Sequence, residues 1–190
     1  DSRKVIYKSA ITEEAKSFLE HIVESERKNL DYLKGQFDVL CGRFKDDRIE
    51  YDYLPYLSLQ DTIAAHLRKG DWRNANTLFI EYTKRIFSLE KTELNPRKFF
   101  DTIVHDRDND SKYYCLNRGL LDLIPSNILV NGNKWIVIDN EWSFDFPVPA
   151  AFILFRAVME MAIAFQPLIR KNSSKSNPAA GIFARNLCTY

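Results

Sequence analysis

Asp122-Leu-Ile-Pro-Ser-Asn127 and the run after it, Ile128-Leu-Val-Asn-Gly-Asn-Lys-Trp-Ile-Val-Ile-Asp139, decide how this chain is read. Ile128-Leu-Val130 and Trp135-Ile-Val-Ile138 are short apolar runs of strand-forming residues. Asn131-Gly132-Asn133 between them accepts left-handed backbone at little cost, so the segment predicts a β-hairpin. Asp122 and Asn127 precede the first strand and Asp139 closes the second, which brings two carboxylates and an amide to one end of the paired strands. Such oxygen donors suit Mg²⁺. Mg²⁺ beside phosphate oxygens is the setting of phosphoryl transfer, a reaction catalysed mainly by positioning and charge neutralisation. One carboxylate must then accept or orient the incoming hydroxyl. An Asp and an Asn five apart are by themselves ordinary loop and capping residues. Pro125, the hairpin and the spacing of Asp139 give the pair its weight.

Upstream, Lys4 to Ser9 predicts a strand and Thr12 caps a helix running to about Leu33, with Glu13 and Glu14 in its first turn. Ala15, Phe18, Leu19, Ile22 and Val23 form one apolar stripe, and Glu26 falls on it, so its carboxylate is expected to point inward. Arg48 to Tyr53 alternates as a strand that ends at Leu54-Pro55. Ser58-Leu-Gln-Asp61 is a capping pattern opening a helix that closes at Gly70, and a longer helix is predicted from about Trp72 to Leu89. A further helix is expected near 97–104, a charged loop over 105–112, a helix beyond Pro149, and a mobile polar loop from Arg170 to Pro178.

The pattern Asp122-x-x-x-x-Asn127, hairpin, Ile138-Asp139 resembles the catalytic loop and metal-binding aspartate of the protein kinase-like superfamily. The resemblance implies that Asp122 is the catalytic aspartate, Asn127 a metal ligand, and Asp139 the main Mg²⁺ ligand bridging the nucleotide phosphates. It departs from protein kinases at Leu120 and Leu121, which stand for His and Arg, at Ile124, which stands for Lys, and at Asn140-Glu141, where no Gly follows Asp139. Protein acceptors are thereby disfavoured. The segment from Ile138 to Trp142 is more similar to the aminoglycoside and choline kinase branch. The run from Leu121 to Arg156 resembles kinase-like domains of bacterial proteins that build O-antigen polysaccharide, often fused to methyltransferase or glycosyltransferase domains.

Laid on that plan, the chain is expected to be an α+β kinase-like fold. Residues 1–55 would form a reduced small lobe, and residues 56–190 a mostly helical large lobe carrying the catalytic hairpin. Lys8 would contact the nucleotide phosphates, Glu26 would be its helix partner, and Tyr53 and Leu54 would sit at the hinge that binds adenine through its backbone. The plan also implies a glycine-rich phosphate loop, yet only seven residues precede Lys8, so either the chain is a fragment of a longer protein, as its start inside an apparent strand favours, or the phosphates are covered differently. Other readings stay open at these positions. Lys8 is also what an edge strand carries to discourage pairing, Glu26 also suits the solvated margin of a helix, and Glu141 is either a metal-shell group or a partner for a nearby cation. Trp142, Phe144, Phe146 and Phe152 read as core residues.

With 27 Lys and Arg interleaved among 26 Asp and Glu, and a net charge of +1, the chain lacks the basic stripe that a nucleic acid requires. Cys41, Cys115 and Cys188 have neither disulfide nor zinc spacing, and the charged start of the chain is no signal peptide, so a cytoplasmic setting is expected. His21, His66 and His105 lack the Ser or Cys partners of a hydrolase. Ala150 to Leu168 is apolar enough to raise the question of a membrane span, but Arg156 and Glu160 on one face favour a buried helix without one. The function expected is ATP- and Mg²⁺-dependent phosphorylation of a hydroxyl on a small molecule or glycan. Its rival is a catalytically silent module that positions a covalently linked methyltransferase or glycosyltransferase domain.

Overall fold

A computed structural model of the protein describes residues 3–94 and 113–173. It is a mixed α+β structure of four helices and small sheets. The first sheet is antiparallel and runs β1 (Val5–Ser9), β4 (Arg48–Asp52), β3 (Arg43–Lys45) in spatial order. Burial along β4 alternates as its sequence does, with Ile49 and Tyr51 inward. Helix α1 (Glu14–Leu33) packs Leu19, Ile22 and Val23 on those two residues to form a small core. Phe18, expected on the buried stripe, is exposed instead, because the sheet beneath α1 has only three short strands.

Glu26 sits deep in the join between α1 and this sheet, 1% exposed. Its carboxylate accepts from the Gly42 amide at 2.8 Å and from the Tyr51 hydroxyl at 2.7 Å. Gly42 is required there: a Cβ would lie 2.1 Å from the Ile49 side chain and 2.9 Å from the Tyr51 ring. The β3–β4 hairpin was not expected. It turns on Asp46 and Asp47, both with positive φ (52° and 58°), a conformation aspartate tolerates although it lacks the usual glycine signal.

The predicted hairpin forms as β8 (Ile128–Asn131) and β9 (Lys134–Val137), joined by Gly132 and Asn133, with Gly132 at φ +58°. A short strand, β2 (Asp38–Val39), pairs with β9 in parallel, and Leu40 N–H donates to the Val137 carbonyl at 2.9 Å. On the other side the linker after β4 joins in, since Val130 N–H donates to the Leu57 carbonyl at 3.0 Å.

Helices α2 (Leu59–Arg68) and α3 (Trp72–Phe87) cover this sheet. Ser58 caps α2 as predicted, accepting from Asp61 N–H at 3.0 Å, and Gly70 closes it at φ +73°. The larger core joins Ile63, Leu67, Phe79 and Ile86 to the hairpin residues Ile128 and Trp135. Leu33, Phe37 and Val39, all before residue 55, also pack in this core. The lone polar atom of Tyr82 is satisfied by the Leu123 carbonyl at 2.7 Å.

Short strands complete the chain: β5 (Lys91–Leu94), β6 (Tyr113–Leu116) and β11 (Val148–Pro149) form one sheet, and β7 (Gly119–Leu120) pairs with β10 (Ser143–Phe144). Helix α4 spans Ala150–Ser173, so residues 170–173, expected in a loop, are helical. The helix and loop predicted over 97–112 lie outside the described residues, as does the rest of that last loop. Residues 150–168 of α4 are long and apolar enough to cross a membrane by length and composition, and 28% of that stretch is buried. The expected buried helix is buried on one face only. Ile153, Leu154, Ala157, Met161 and Phe165 face the core, while Phe152, Phe155, Met159 and Ile163 are exposed.

Burial raises the Glu26 pKa above the ordinary 4.5, against the two hydrogen bonds and the nearby Lys8 charge that favour ionisation. Folding therefore takes up a proton here: the carboxyl's contribution is complete below about pH 4.5 and is lost as pH rises through the raised folded value. Glu26→Gln should match the wild type near pH 4 and equal or exceed it at pH 7 in urea unfolding. Glu26→Ala leaves the Gly42 and Tyr51 donors unpaired and should cost about 1–3 kcal/mol per donor at either pH. A Gln variant less stable than the Ala variant would overturn this account.

Candidate functional site

The site is built where β9 ends. Asp139 follows it in left-handed backbone, φ +51°, which turns the chain sharply away from the strand direction. The carboxylates of Asp139 and Glu141 both meet the Lys8 ammonium of β1. Lys8 is joined in this way to a segment 131 residues further along the chain. Burial opposes its charge, but the hydrogen bonds to Asp139 and Glu141 prevail and hold its pKa above the ordinary value.

Asp122 lies at the same end of the hairpin, its side chain 14% exposed. One carboxylate oxygen accepts from Trp142 N–H at 3.0 Å, and the other faces the Arg156 guanidinium at 3.9 Å. Burial raises its pKa, with Asp139 and Glu141 adding to the rise and the Trp142 amide and Arg156 opposing it. Asn127 ends a 3₁₀ turn, Pro125–Asn127, that carries the chain from Asp122 into β8. Its side-chain amide donates to the Asp122 carbonyl at 3.3 Å, and its own carbonyl accepts from Ile138 N–H at 2.9 Å. With Nδ2 so engaged, Oδ1 of Asn127 is the atom left to serve as an oxygen donor.

Lys8, Asp122, Asn127 and Asp139 are thus brought to one end of the hairpin. The expected Lys8–Glu26 pair is a correction: Glu26 points inward as predicted, but Gly42 and Tyr51 take its oxygens, and Lys8 pairs with Asp139 and Glu141. The hinge expectation is narrowed, because Tyr53 N–H donates to the Lys4 carbonyl at 3.1 Å and extends the β1–β4 ladder. That amide is taken up within the sheet and does not fit the hinge role expected of it. Tyr53 is exposed, Leu54 half-buried, and the segment runs beside β8 toward Ser58. Arg156 was placed by its sequence on α4 but not beside Asp122, a contact between segments far apart in sequence.

No family model matches the chain, and neither a curated protein nor a solved structure matches it. The site's chemistry is therefore argued from its own groups. Among the described residues no three His, Cys, Asp or Glu side chains gather as a metal cage. Asp139 and Asn127 could each offer an oxygen donor of the kind Mg²⁺ takes.

The charges around Asp122 give opposite signs on substitution. Removing the Arg156 charge in Arg156→Gln should raise the Asp122 midpoint further, and removing the Glu141 charge in Glu141→Gln should lower it. A ¹³C-carboxylate NMR titration resolves both, and shifts of the same sign would refute this arrangement.

Proposed function

We propose that the protein transfers the terminal phosphate of ATP, with Mg²⁺, to a hydroxyl of a small molecule or glycan, using a kinase-like arrangement. The observation that carries this is the ion pair of Lys8 with Asp139, which joins the first strand to the hairpin end where Asp122 and Asn127 also lie. Lys8 and Asp139 are 131 residues apart in sequence, and both side chains are partly exposed.

Asp139 and Asn127 would hold Mg²⁺, which supplies charge neutralisation between the phosphates. Lys8, held cationic by its two carboxylate partners, offers its ammonium to phosphate oxygens as they arrive. Asp122 receives the acceptor. Its Oδ2 is fixed by the Trp142 amide, so the oxygen facing Arg156 is the one that accepts the hydroxyl proton. The raised pKa moves this group closer to neutral pH, where a carboxylate is a more effective proton acceptor. The acceptor oxygen then bonds to phosphorus, the bond to the ADP oxygen breaks, and the proton resides on Asp122.

The reading places the protein in the cytoplasm, in bacterial cell-surface polysaccharide synthesis, beside a linked methyltransferase or glycosyltransferase domain. A second reading, a catalytically silent module, draws on the enclosure of Glu26 by Gly42 and Tyr51, which leaves Lys8 without its expected helix partner.

A thermal-shift titration separates the two. ATP with Mg²⁺ at about 100 times Kd stabilises by about 2.7 kcal/mol, a rise of roughly 5–10 °C for a chain of this size. The rise should require both ligands, disappear in Asp139→Asn, and be accompanied by Mg²⁺-dependent turnover that Asp139→Asn abolishes. An unchanged midpoint in the wild type would favour the silent module.

A further inference from the structure

Of the aromatic residues expected in the core, Trp142, Phe146 and Phe152 are exposed, and Phe152 opens an apolar face that runs along α4. Phe152, Phe155, Met159 and Ile163 follow one another at steps of three and four residues, so they stand in one row on the helix, about 16 Å long. They are between 44% and 70% exposed. The opposite side of α4, with Ile153, Leu154, Ala157, Met161 and Phe165, is packed in the larger core. No exposed residue from Ala151 to Pro167 is charged. A contiguous apolar surface of this kind marks a contact surface.

The row reads nearly alike from both ends, with steps of three, four and four residues in one direction and four, four and three in the other. Phe152 and Ile163 are centred between Ala157 and Val158. Arg156 and Glu160, half-buried along one flank of the row, are centred on Val158. A two-fold axis crossing α4 at that point lays a second α4 antiparallel on the first, row against row. It also sets Arg156 opposite Glu160 of the second copy, and Glu160 opposite its Arg156. Nη2 of Arg156 stands 3.9 Å from both Asp122 and Glu160, too far to hydrogen-bond either, so it is open to a further carboxylate. A partner unrelated to this chain requires no such symmetry of apolar residues and charges about one point.

We infer that the exposed face of α4 is a self-association surface, on which a second copy of this chain packs its own α4 antiparallel. The inference is independent of the phosphotransfer reading. The row offers on the order of 400 Å² of side chain per copy, so pairing removes roughly 800 Å² from water, below the 1,200 Å² or so at which stable interfaces begin. The dimer is therefore weak and reversible. A lipid surface suits the face less well. The helix cannot enter a bilayer while its other side holds the core, and a helix lying on lipid carries cations around its apolar face. Here the flank holds one cation and one anion, and the cation is turned inward, Arg156 Nε donating to the Leu121 carbonyl at 3.1 Å.

Sedimentation velocity of the full chain tests this from about 5 to 500 µM, the range a contact of this area calls for. The weight-average mass is expected to rise with concentration toward twice that of the monomer. Ile163→Glu puts two carboxylates into each interface and should weaken the dimer about tenfold or more. Because Ile163 is already exposed, the melting midpoint of the dilute variant should stay in place. Cysteine pairs then read the orientation under mild oxidation, with the wild type as the control for Cys41, Cys115 and Cys188. Met159→Cys, beside the axis, should crosslink to itself. Phe152→Cys should not, since two copies of residue 152 lie roughly 18 Å apart and a disulfide spans Cα atoms only about 4.4–6.8 Å apart. A mixture of Phe152→Cys and Ile163→Cys chains should crosslink. A chain that stays monomeric throughout, a dimer indifferent to Ile163→Glu, or Phe152→Cys linking to itself as readily as Met159→Cys would overturn the inference. Sedimentation with phosphatidylcholine and phosphatidylglycerol vesicles, lost in Ile163→Glu and without self-association, would give the face to lipid instead.

Discussion

The backbone pairing of β9 is the constraint on which the rest of the structure depends. It is the central strand of its sheet, antiparallel to β8 and parallel to β2, and its Val137 is buried in the larger core. Because the side-chain period of a strand is two, a slip of one residue would turn Trp135 and Val137 to solvent, so the register is tightly fixed. That register also sets the chemistry. Asn127 accepts from Ile138 N–H directly after the last β9 residue, and Asp139 breaks away at once in left-handed backbone. A packing requirement thereby brings the backbone of Asn127 against the residue that precedes Asp139.

Lys8 shows how the small sheet is joined to this frame. Asp139 and Glu141 lie close together on one ammonium, and their mutual repulsion is offset by it. The lysine side chain is 31% exposed and Asp139 56%, so water screens the cluster and its contribution to stability is modest. A weakly committed, partly exposed cation beside a carboxylate is suited to exchanging one anion for another. Glu26 is the opposite case. It is enclosed by a backbone amide and a tyrosine hydroxyl, holds α1 to β4, and has little room to do anything else.

What was legible in the sequence is what local rules determine. The β8–β9 hairpin followed from two apolar runs and Asn-Gly, the α2 start from Ser58 and Asp61, and the inward position of Glu26 from helical period. What was not legible depends on distant partners. Period gave the direction of Glu26 but not the identity of its neighbour. Two-residue strands such as β2 and β10 carry no periodic signal and exist only because a longer strand or a tight packing contact lies beside them. The Asp46-Asp47 turn escaped because its left-handed backbone is imposed on residues that merely tolerate it. Trp142 and Phe146 were assigned to the core on hydrophobicity alone, although alternation with Ser143 and Asp145 already divided that segment into two faces.

That division extends into the interior. Asn29 of α1 accepts from Arg118 Nε at 3.0 Å and from Ser143 Oγ at 3.3 Å, which fixes its carbonyl oxygen and leaves Nδ2 to donate to Asn140 Oδ1 at 2.7 Å. The orientation of Asn140 follows, and its own Nδ2, buried, has no partner among the described residues. An unmade hydrogen bond of this kind costs about 1–3 kcal/mol. An apolar residue would avoid that cost but would release the side-chain hydrogen bond by which α1 holds the residue between Asp139 and Glu141. The Asn29–Asn140 hydrogen bond thus ties α1 to the residue that stands between the two carboxylates. Helix α1 acts on the hairpin end through Asn29 and on the small sheet through Glu26, two buried polar residues three positions apart on one helical face. A rigid rotation of α1 would disturb both at once, so the sheet that carries Lys8 and the loop that carries Asp139 are held to a common reference.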